Sequence, residues 1–122
     1  MAKKVLVAED SSVIQNLTKK ILEFQNFEIV SAKNGKDVLA IMAKENISIV
    51  LMDINMPQMD GMACAREIRK LSDSAKSQVP IIAITGNAKN YSEEDFKNAG
   101  INLYMQKPLN FDLLVEKVKE LT

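Results

Sequence analysis

Short runs of apolar residues alternate along the chain with longer segments in which apolar residues recur every three or four positions. Five of these runs, at residues 5–8, 27–30, 47–52, 80–84 and 103–105, have the composition of β-strands. The segments between them show helical spacing, as in Val13, Leu17, Ile21 and Phe24 and later in Phe111, Leu114, Val118 and Leu121. This alternation predicts an α/β fold, a doubly wound parallel sheet of five strands covered by five helices.

The strands differ in a way that predicts their order in the sheet. The first, third and fourth are almost continuously apolar, which is typical of strands buried on both faces. The second and fifth carry Glu28 and Asn102, as edge strands can. The pattern favours the order 2-1-3-4-5, and ligands of such sheets bind beyond the carboxyl ends of the strands at the switch point.

Local signals mark helix ends and give no sign of a second domain. Ser92 with Asp95 three residues later predicts a capping box, and Gly100 stands where a helix C-terminus favours glycine. Apart from the polar segment 72–78, we find no linker, repeat or low-complexity stretch. We therefore expect residues 1–122 to form a single domain.

Composition narrows the chemistry of this domain. Its 16 Lys and Arg balance 16 Asp and Glu, so no net charge favours nucleic acid or an anionic membrane. The chain has no histidine and one cysteine, Cys64, which excludes His-based nucleophile pairs, histidine-ligated zinc and an internal disulfide. The apolar runs are too short to span a bilayer and no signal segment precedes the first strand, so we expect a cytoplasmic location.

Polar residues follow four of the five predicted strands. Glu9 and Asp10 come after the first strand, Asp53 ends the third, Thr85 ends the fourth, and Lys107 follows the fifth. Taken singly, the acids after the first strand suit a helix cap, the threonine suits a strand and the lysine suits a solvated surface. The predicted strand order brings all of them to one edge of the sheet.

Three carboxylates at one edge would not gather for stability. Two such charges about 5 Å apart repel by roughly 3 kcal/mol at an effective dielectric of about 20. Either one carboxylate takes up a proton, or a cation lies among them. Oxygen ligands without histidine or cysteine suit Mg²⁺, Mn²⁺ or Ca²⁺.

The order of these motifs resembles the receiver domains of two-component response regulators, the CheY-like domains of flavodoxin-like fold. The resemblance covers residues 3–121 and rests on residues 53–57 (Asp-Ile-Asn-Met-Pro) with Asp60-Gly61, on Glu9-Asp10, on Ile84-Thr85-Gly86 and on Lys107-Pro108. Glu9 stands where the family often has aspartate, and Gly86 where alanine is frequent. The amino-acid sequence of residues 52–57 and 80–85 is similar to the corresponding segments in receivers of hybrid histidine kinases.

The resemblance implies a metal site and a phosphoacceptor. Asp53 would become the aspartyl phosphate, and Asp10, Asp53 and the carbonyl of Asn55 would bind Mg²⁺, with Glu9 helping, for example through water. Mn²⁺ or Ca²⁺ could substitute in binding.

The remaining motifs are assigned to the phosphoryl group in the same way. The Thr85 hydroxyl, the Lys107 ammonium and the amides of Asn55 and Gly86 would hold its oxygens. The Lys107-Pro108 bond is typically cis in the family. The domain would catalyse its own phosphorylation and dephosphorylation without being an enzyme for a free substrate.

The resemblance also implies partners and a switch. The phosphoryl donor would be a phosphohistidine on a histidine kinase or histidine phosphotransfer protein. Thr85 and Tyr104 would be the switch residues, although Tyr104 also fits a half-buried edge-strand aromatic. The surface of the predicted fourth helix, fifth strand and fifth helix would then bind a downstream protein. A free-standing regulator, a phosphorelay shuttle and a segment of a larger protein all stay open, as do a monomer and a phosphorylation-dependent dimer.

Two rival classes share parts of this pattern. A haloacid-dehalogenase-like phosphatase needs its nucleophile after the first strand and a second aspartate two residues further on as general acid. Here the residue two positions after Asp53 is Asn55, which cannot donate a carboxylic proton, and the acids after the first strand are Glu9 and Asp10. A flavodoxin needs a hydroxyl-rich phosphate loop after the first strand, where Glu9 and Asp10 would repel the FMN phosphate. A degenerate, binding-only receiver is disfavoured because every phosphorylation residue is present.

Overall fold

The computed structural model describes residues 3–56, 58–86 and 91–122. Strands and helices alternate through these ranges in the order β1 (Lys4–Ala8), α1 (Ser12–Phe24), β2 (Glu28–Ala32), α2 (Gly35–Lys44), β3 (Ile49–Asp53), α3 (Gly61–Arg69), α4 (Ser74–Ser77), β4 (Ile81–Thr85), α5 (Glu93–Asn98), β5 (Leu103–Gln106) and α6 (Phe111–Leu121). Among these helices, none is long and apolar enough to cross a membrane.

The sheet has the predicted parallel architecture. Its strand order is β2-β1-β3-β4-β5, with every neighbouring pair parallel. All residues of β3 and β4 are buried, whereas Glu28 of β2 is exposed at the edge. The strand composition therefore predicted both the central and the edge positions correctly.

One helix was missing from the sequence-based expectation of five. The polar segment 72–78 contains the one-turn helix α4, whose N-terminus is capped by the Asp73 carboxylate accepting from the Ala75 amide at 3.0 Å. No apolar periodicity marks so short a helix, because none of its residues is buried. The predicted fourth and fifth helices are consequently α5 and α6.

Alternate residues of each strand feed two separate cores. On one face Leu6, Val50 and Met52 pack with residues of α2, α3 and α5. On the other face Val5, Leu51 and Ile82 pack with residues of α1 and α6. Because both faces are covered, the polar strand ends at the carboxyl edge are the place where the sheet can present chemistry.

Helix α1 forms as predicted, but the apolar stripe that predicted it does not face the core. Val13 is 77% exposed and Phe24 is 86% exposed, and Leu17 is exposed as well. The buried positions are instead Gln15, Thr18 and Leu22. The helix thus turns two polar side chains inward and an apolar stripe outward.

The signals for the ends of α5 are confirmed. The Ser92 hydroxyl accepts from the Asp95 amide at 3.1 Å and the Asp95 carboxylate accepts from the Ser92 amide at 2.8 Å, which is a complete capping box. Gly100 follows the helix with a φ of 84°, and the Arg69 side chain packs directly against it. Asn102 precedes β5, and its side chain accepts from the Ile81 amide at 2.8 Å.

Candidate active site

The sheet register gathers the predicted site residues at one edge. Ala8 of β1 pairs with Met52 of β3, so Glu9 and Asp53 are the next residues on two adjacent strands. Asp53 in turn pairs with Ile84, which places Thr85 one residue beyond on the third strand of the group. Residues distant in sequence therefore converge at the switch point between β1 and β3.

Three carboxylates form a cluster there. One oxygen from each of Glu9, Asp10 and Asp53 lies within 4.8 Å of the other two. Asp53 is 1% exposed and Glu9 4%, whereas Asp10 is open to solvent. The site therefore has two acids in the floor and one at the mouth.

Lys107 supplies positive charge to the two buried acids. Its Nζ lies 3.3 Å from Asp53 Oδ2 and 3.5 Å from Glu9 Oε2. The lysine leaves β5 where its own amide donates to the Thr85 carbonyl at 2.8 Å, and the Lys107-Pro108 bond is cis. The end of β5 is thereby tied to the end of β4 beside the acids.

The Lys107 ammonium does not supply enough positive charge to balance the carboxylate cluster. Burial, together with the Asp53 charge, raises the pKa of Glu9 to about 7. Burial of the ammonium opposes its charge, yet the attraction of Asp53 and Glu9 outweighs it, and the pKa of Lys107 is raised. A hard divalent cation among three carboxylate oxygens fits this imbalance, since Mg²⁺ prefers oxygen ligands of this kind.

Backbone groups complete the surroundings of Asp53. The Asn55 amide donates to Asp53 Oδ1 at 3.1 Å, while the Asn55 side chain is exposed. Gly61 packs so closely beneath this turn that a Cβ would lie 2.6 Å from the Asp53 carbonyl oxygen. Pro57, the last residue of the predicted motif, lies outside the described residues.

Thr85 and Gly86 lie at the end of β4. Thr85 is 1% exposed, and Gly86 is exposed, with nothing within 4 Å of the place a Cβ would occupy. A buried threonine is therefore followed by an exposed glycine at the edge where the acids lie.

Tyr104 lies away from the carboxylates, on the middle of β5. Its ring stacks on Phe96 of α5, with centroids 4.6 Å apart and planes 14° from parallel, and Phe96 in turn contacts Tyr91 at 5.6 Å. The tyrosine is half-buried against the core. The stack connects β5 to the helix that follows the Thr85 strand.

Sequence reasoning missed two side chains that tie elements together, Gln15 at the carboxyl edge of the sheet and Arg69 at its amino edge. Gln15 is buried and reaches the ends of β1 and β2. Arg69 donates to the carbonyls of Ser77 at 2.7 Å, Val79 at 2.6 Å and Gly100 at 2.8 Å, which ties α3 to the start of β4 and the end of α5. The outward apolar stripe of α1 indicated the wrong buried face for this helix, so Gln15 was not expected to be buried. No local sequence pattern predicts an arginine that donates to carbonyls of other elements.

Comparison with known proteins agrees with this architecture. The response regulator receiver domain family matches residues 5–119. The CAI-1 autoinducer sensor kinase/phosphatase CqsS of Vibrio cholerae is 36% identical over 116 residues, covering 95% of this chain and 17% of that protein. Hybrid signal transduction histidine kinase I of Dictyostelium discoideum is 38% identical over 120 residues, covering 94% of this chain and 7% of that protein.

A solved structure shows the same fold. Response regulator protein TrrA from Thermotoga maritima, in complex with Mg(2+)-BeF, matches with a TM-score of 0.85 and 35% identity, covering 98% of this chain and 99% of that one. The fold and the strand-end acids define a CheY-like signalling domain of the two-component type. The chain belongs to the response regulator receiver domain family. It spans less than a fifth of the length of either kinase that it matches.

Proposed function

We propose that this domain accepts a phosphoryl group on Asp53 from the phosphohistidine of a histidine kinase or a histidine phosphotransfer protein. The observation that carries the proposal is the setting of the Asp53 carboxylate, which is buried and yet held between two donors. Lys107 lies 3.3 Å from one oxygen and the Asn55 amide 3.1 Å from the other. Such a carboxylate is oriented for attack and has positive charge ready for the incoming oxygens.

The transfer is a substitution at phosphorus. An Asp53 oxygen forms a bond to phosphorus while the bond between phosphorus and the donor imidazole nitrogen breaks, and the imidazole keeps that electron pair. Lys107, the Thr85 hydroxyl and the amides of Asn55 and Gly86 would hold the three phosphoryl oxygens. Positioning and neutralisation of this charge supply most of the catalysis in phosphoryl transfer. Hydrolysis of the acyl phosphate would later restore Asp53.

Glu9, Asp10, Asp53 and the Asn55 carbonyl would hold a Mg²⁺ ion at the same edge. When bound, Mg²⁺ neutralises the carboxylates and the developing phosphoryl charge. The cluster of three carboxylate oxygens and the raised pKa of Glu9 support this site. Mn²⁺ or Ca²⁺ would bind to the same oxygens.

The surface next to Asp53 is suited to a phosphoryl donor that is a protein rather than a small molecule alone. An open groove of about 490 Å³ is lined by five residues, Ile14, Leu17, Pro108, Leu109 and Phe111, and by Lys107 of the site. The outward apolar stripe of α1 continues from this groove. A phosphohistidine-bearing protein could cover this surface while its imidazole reaches the acids.

The switch would connect the phosphoryl group to the surface of α5, β5 and α6. Thr85 would move toward the new phosphoryl oxygens and Tyr104 would follow by leaving its stack on Phe96. The stack of 4.6 Å between these two rings supports the coupling, because Phe96 belongs to the helix after the Thr85 strand. A downstream protein would bind this surface, and the domain would be a monomer or a phosphorylation-dependent dimer.

Labelling with acetyl phosphate and Mg²⁺ tests the proposal. The wild-type chain should gain one acid-stable, hydroxylamine-labile phosphoryl group, and Asp53→Asn should gain none. Asp60→Asn is the matched control, because Asp60 is an exposed helix cap whose function asparagine retains. Equal labelling of Asp53→Asn and wild type would falsify the assignment.

A further inference from the structure

We infer that Gln15 is a positioning residue for the acidic pair, and that its side-chain amide sets the affinity of the site for Mg²⁺. Gln15 lies in the first turn of α1 and touches neither carboxylate, so its effect would pass through the backbone that carries Glu9 and Asp10. The inference rests on the proposed function, since it concerns the same metal site.

The contacts of Gln15 are both made to main-chain carbonyls. Its Nε2 donates to the Ala32 carbonyl at 2.9 Å and to the Glu9 carbonyl at 3.2 Å. Because both partners are acceptors, the amide nitrogen must be the atom that faces them. The side chain is 7% exposed, so water does not compete freely for these bonds. Gln15 thus clamps the end of β1 to the end of β2.

The clamp acts on the peptide that leads into Asp10. The Glu9 amide already donates to the Ala32 carbonyl at 3.0 Å, and the Glu9 carboxylate accepts from the Ser11 amide at 3.2 Å. The Glu9 carbonyl belongs to the planar peptide that joins Glu9 to Asp10. Gln15 therefore fixes the one remaining backbone group of Glu9 and the direction in which Asp10 leaves the strand.

A neighbouring residue shows that burial of a polar group on α1 does not by itself require such contacts. Thr18 is also buried on the same helix, but its hydroxyl donates to the Ile14 carbonyl at 2.8 Å, within the helix itself. Gln15 spans to two strand ends at the acidic edge instead. Partners that orient metal ligands typically change metal affinity by about 10- to 100-fold when removed.

Calorimetric titration with Mg²⁺ of the full chain tests this role. Gln15→Met keeps the side-chain length but removes both donors, and it should raise the Mg²⁺ Kd about tenfold. Thr18→Val, which loses its own buried hydrogen bond, should keep the Kd within about twofold of wild type. Urea unfolding without metal gives the stability loss of each variant, so that affinity is compared at a known stability. Wild-type affinity in Gln15→Met, or equal weakening in Thr18→Val, would overturn the inference.

A second substitution guards against failure of the first to fold. Gln15→Asn keeps the amide but is one methylene shorter, so it cannot reach both carbonyls and should also weaken Mg²⁺ binding; a wild-type Kd in this folded variant would contradict the inference as well. Failure of the proposed function looks different. In that case the wild-type chain itself would not bind Mg²⁺, or Asp10→Ala would bind it as tightly as wild type.

Discussion

The ammonium of Lys107 lies 3.3 Å from Asp53 Oδ2, although 54 residues separate the two along the chain. The same ammonium also lies 3.5 Å from Glu9 Oε2, so one partly exposed cation serves two buried acids. Burying a carboxylate is costly unless an opposite charge compensates it. The metal-free domain therefore depends on Lys107 for stability as well as for chemistry.

Lys107→Met should destabilise the metal-free domain at alkaline pH. Removing one partner of a buried ion pair leaves an uncompensated charge, and with Lys107 partly exposed we expect a loss of roughly 1–3 kcal/mol in the free energy of unfolding. The loss should shrink in mild acid, where Glu9 takes up a proton. Urea unfolding at the two pH values measures both effects.

Lys117→Met provides the matched control for this change. Lys117 also lies 3.3 Å from a carboxylate, that of Glu120, but this pair is on the surface of α6. Surface pairs contribute about 0–1 kcal/mol, so the variant should unfold nearly as wild type does at either pH. Equal losses in the two lysine variants would show that the buried acids do not need Lys107.

Mg²⁺ affinity should fall with decreasing pH below about pH 7. The folded pKa of Glu9, about 7, lies above the ordinary value of 4.5, so its protonation stabilises the metal-free fold fully below pH 4.5 and the contribution is lost as pH rises through 7. Mg²⁺ requires the ionised carboxylate and competes with this proton. We expect the Kd to rise by up to about tenfold per pH unit below pH 7 and to level off above it.

Calorimetry in buffers of different ionisation enthalpy measures this proton release. Glu9→Gln should bind Mg²⁺ more weakly at alkaline pH but should lose most of the pH dependence near neutrality. Glu45→Gln, which removes a half-exposed partner of Lys4, should retain it. An unchanged pH slope in Glu9→Gln would assign the titration to another group.

The sequence predicted where the site residues converge better than it predicted the polar contacts that tie the elements together. Strand composition fixed the order of the sheet, and a parallel sheet brings the carboxyl ends of its central strands to one edge, so the convergence of Glu9, Asp53 and Lys107 could be foreseen. Gln15, beside the site, and Arg69, at the opposite edge of the sheet, donate to carbonyls outside their own helices. Such contacts leave no periodic trace, and they emerge only when the elements are packed.

Helix α1 shows where periodicity misleads. The spacing of Val13, Leu17 and Phe24 indicates a helix whatever these residues contact, but it does not tell a core face from a face reserved for a partner. Here the inward face is shared by Leu22 with Gln15 and Thr18, whose polar groups are satisfied by backbone carbonyls. An apolar stripe that faces solvent is a common feature of interaction surfaces.

Gly61→Ala should disturb both stability and the acceptor. A Cβ at this position would lie 2.6 Å from the Asp53 carbonyl oxygen and 2.8 Å from the Ile54 Cα, which are backbone atoms that cannot move without displacing the end of β3. We expect a loss of about 1–3 kcal/mol in the free energy of unfolding, with slower labelling by acetyl phosphate.

Gly86→Ala tests whether the effect depends on space. Nothing lies within 4 Å of the Cβ that would be added at Gly86, so its free energy of unfolding should change by no more than about 0.5 kcal/mol. Thermal or urea unfolding of the two variants gives the comparison. Similar losses at Gly61 and Gly86 would contradict the close packing beneath Asp53.

Chemical identification of the phosphorylated residue is the most direct measurement. Borohydride reduces an aspartyl phosphate to homoserine, so phosphorylation in the presence of Mg²⁺, followed by reduction and peptide mass mapping, marks the acceptor. We predict homoserine in place of Asp53, with Glu9, Asp10 and Asp60 unaltered, and no mark when Mg²⁺ is omitted. Homoserine at another aspartate, or an unmodified Asp53 in labelled protein, would contradict the phosphoacceptor site.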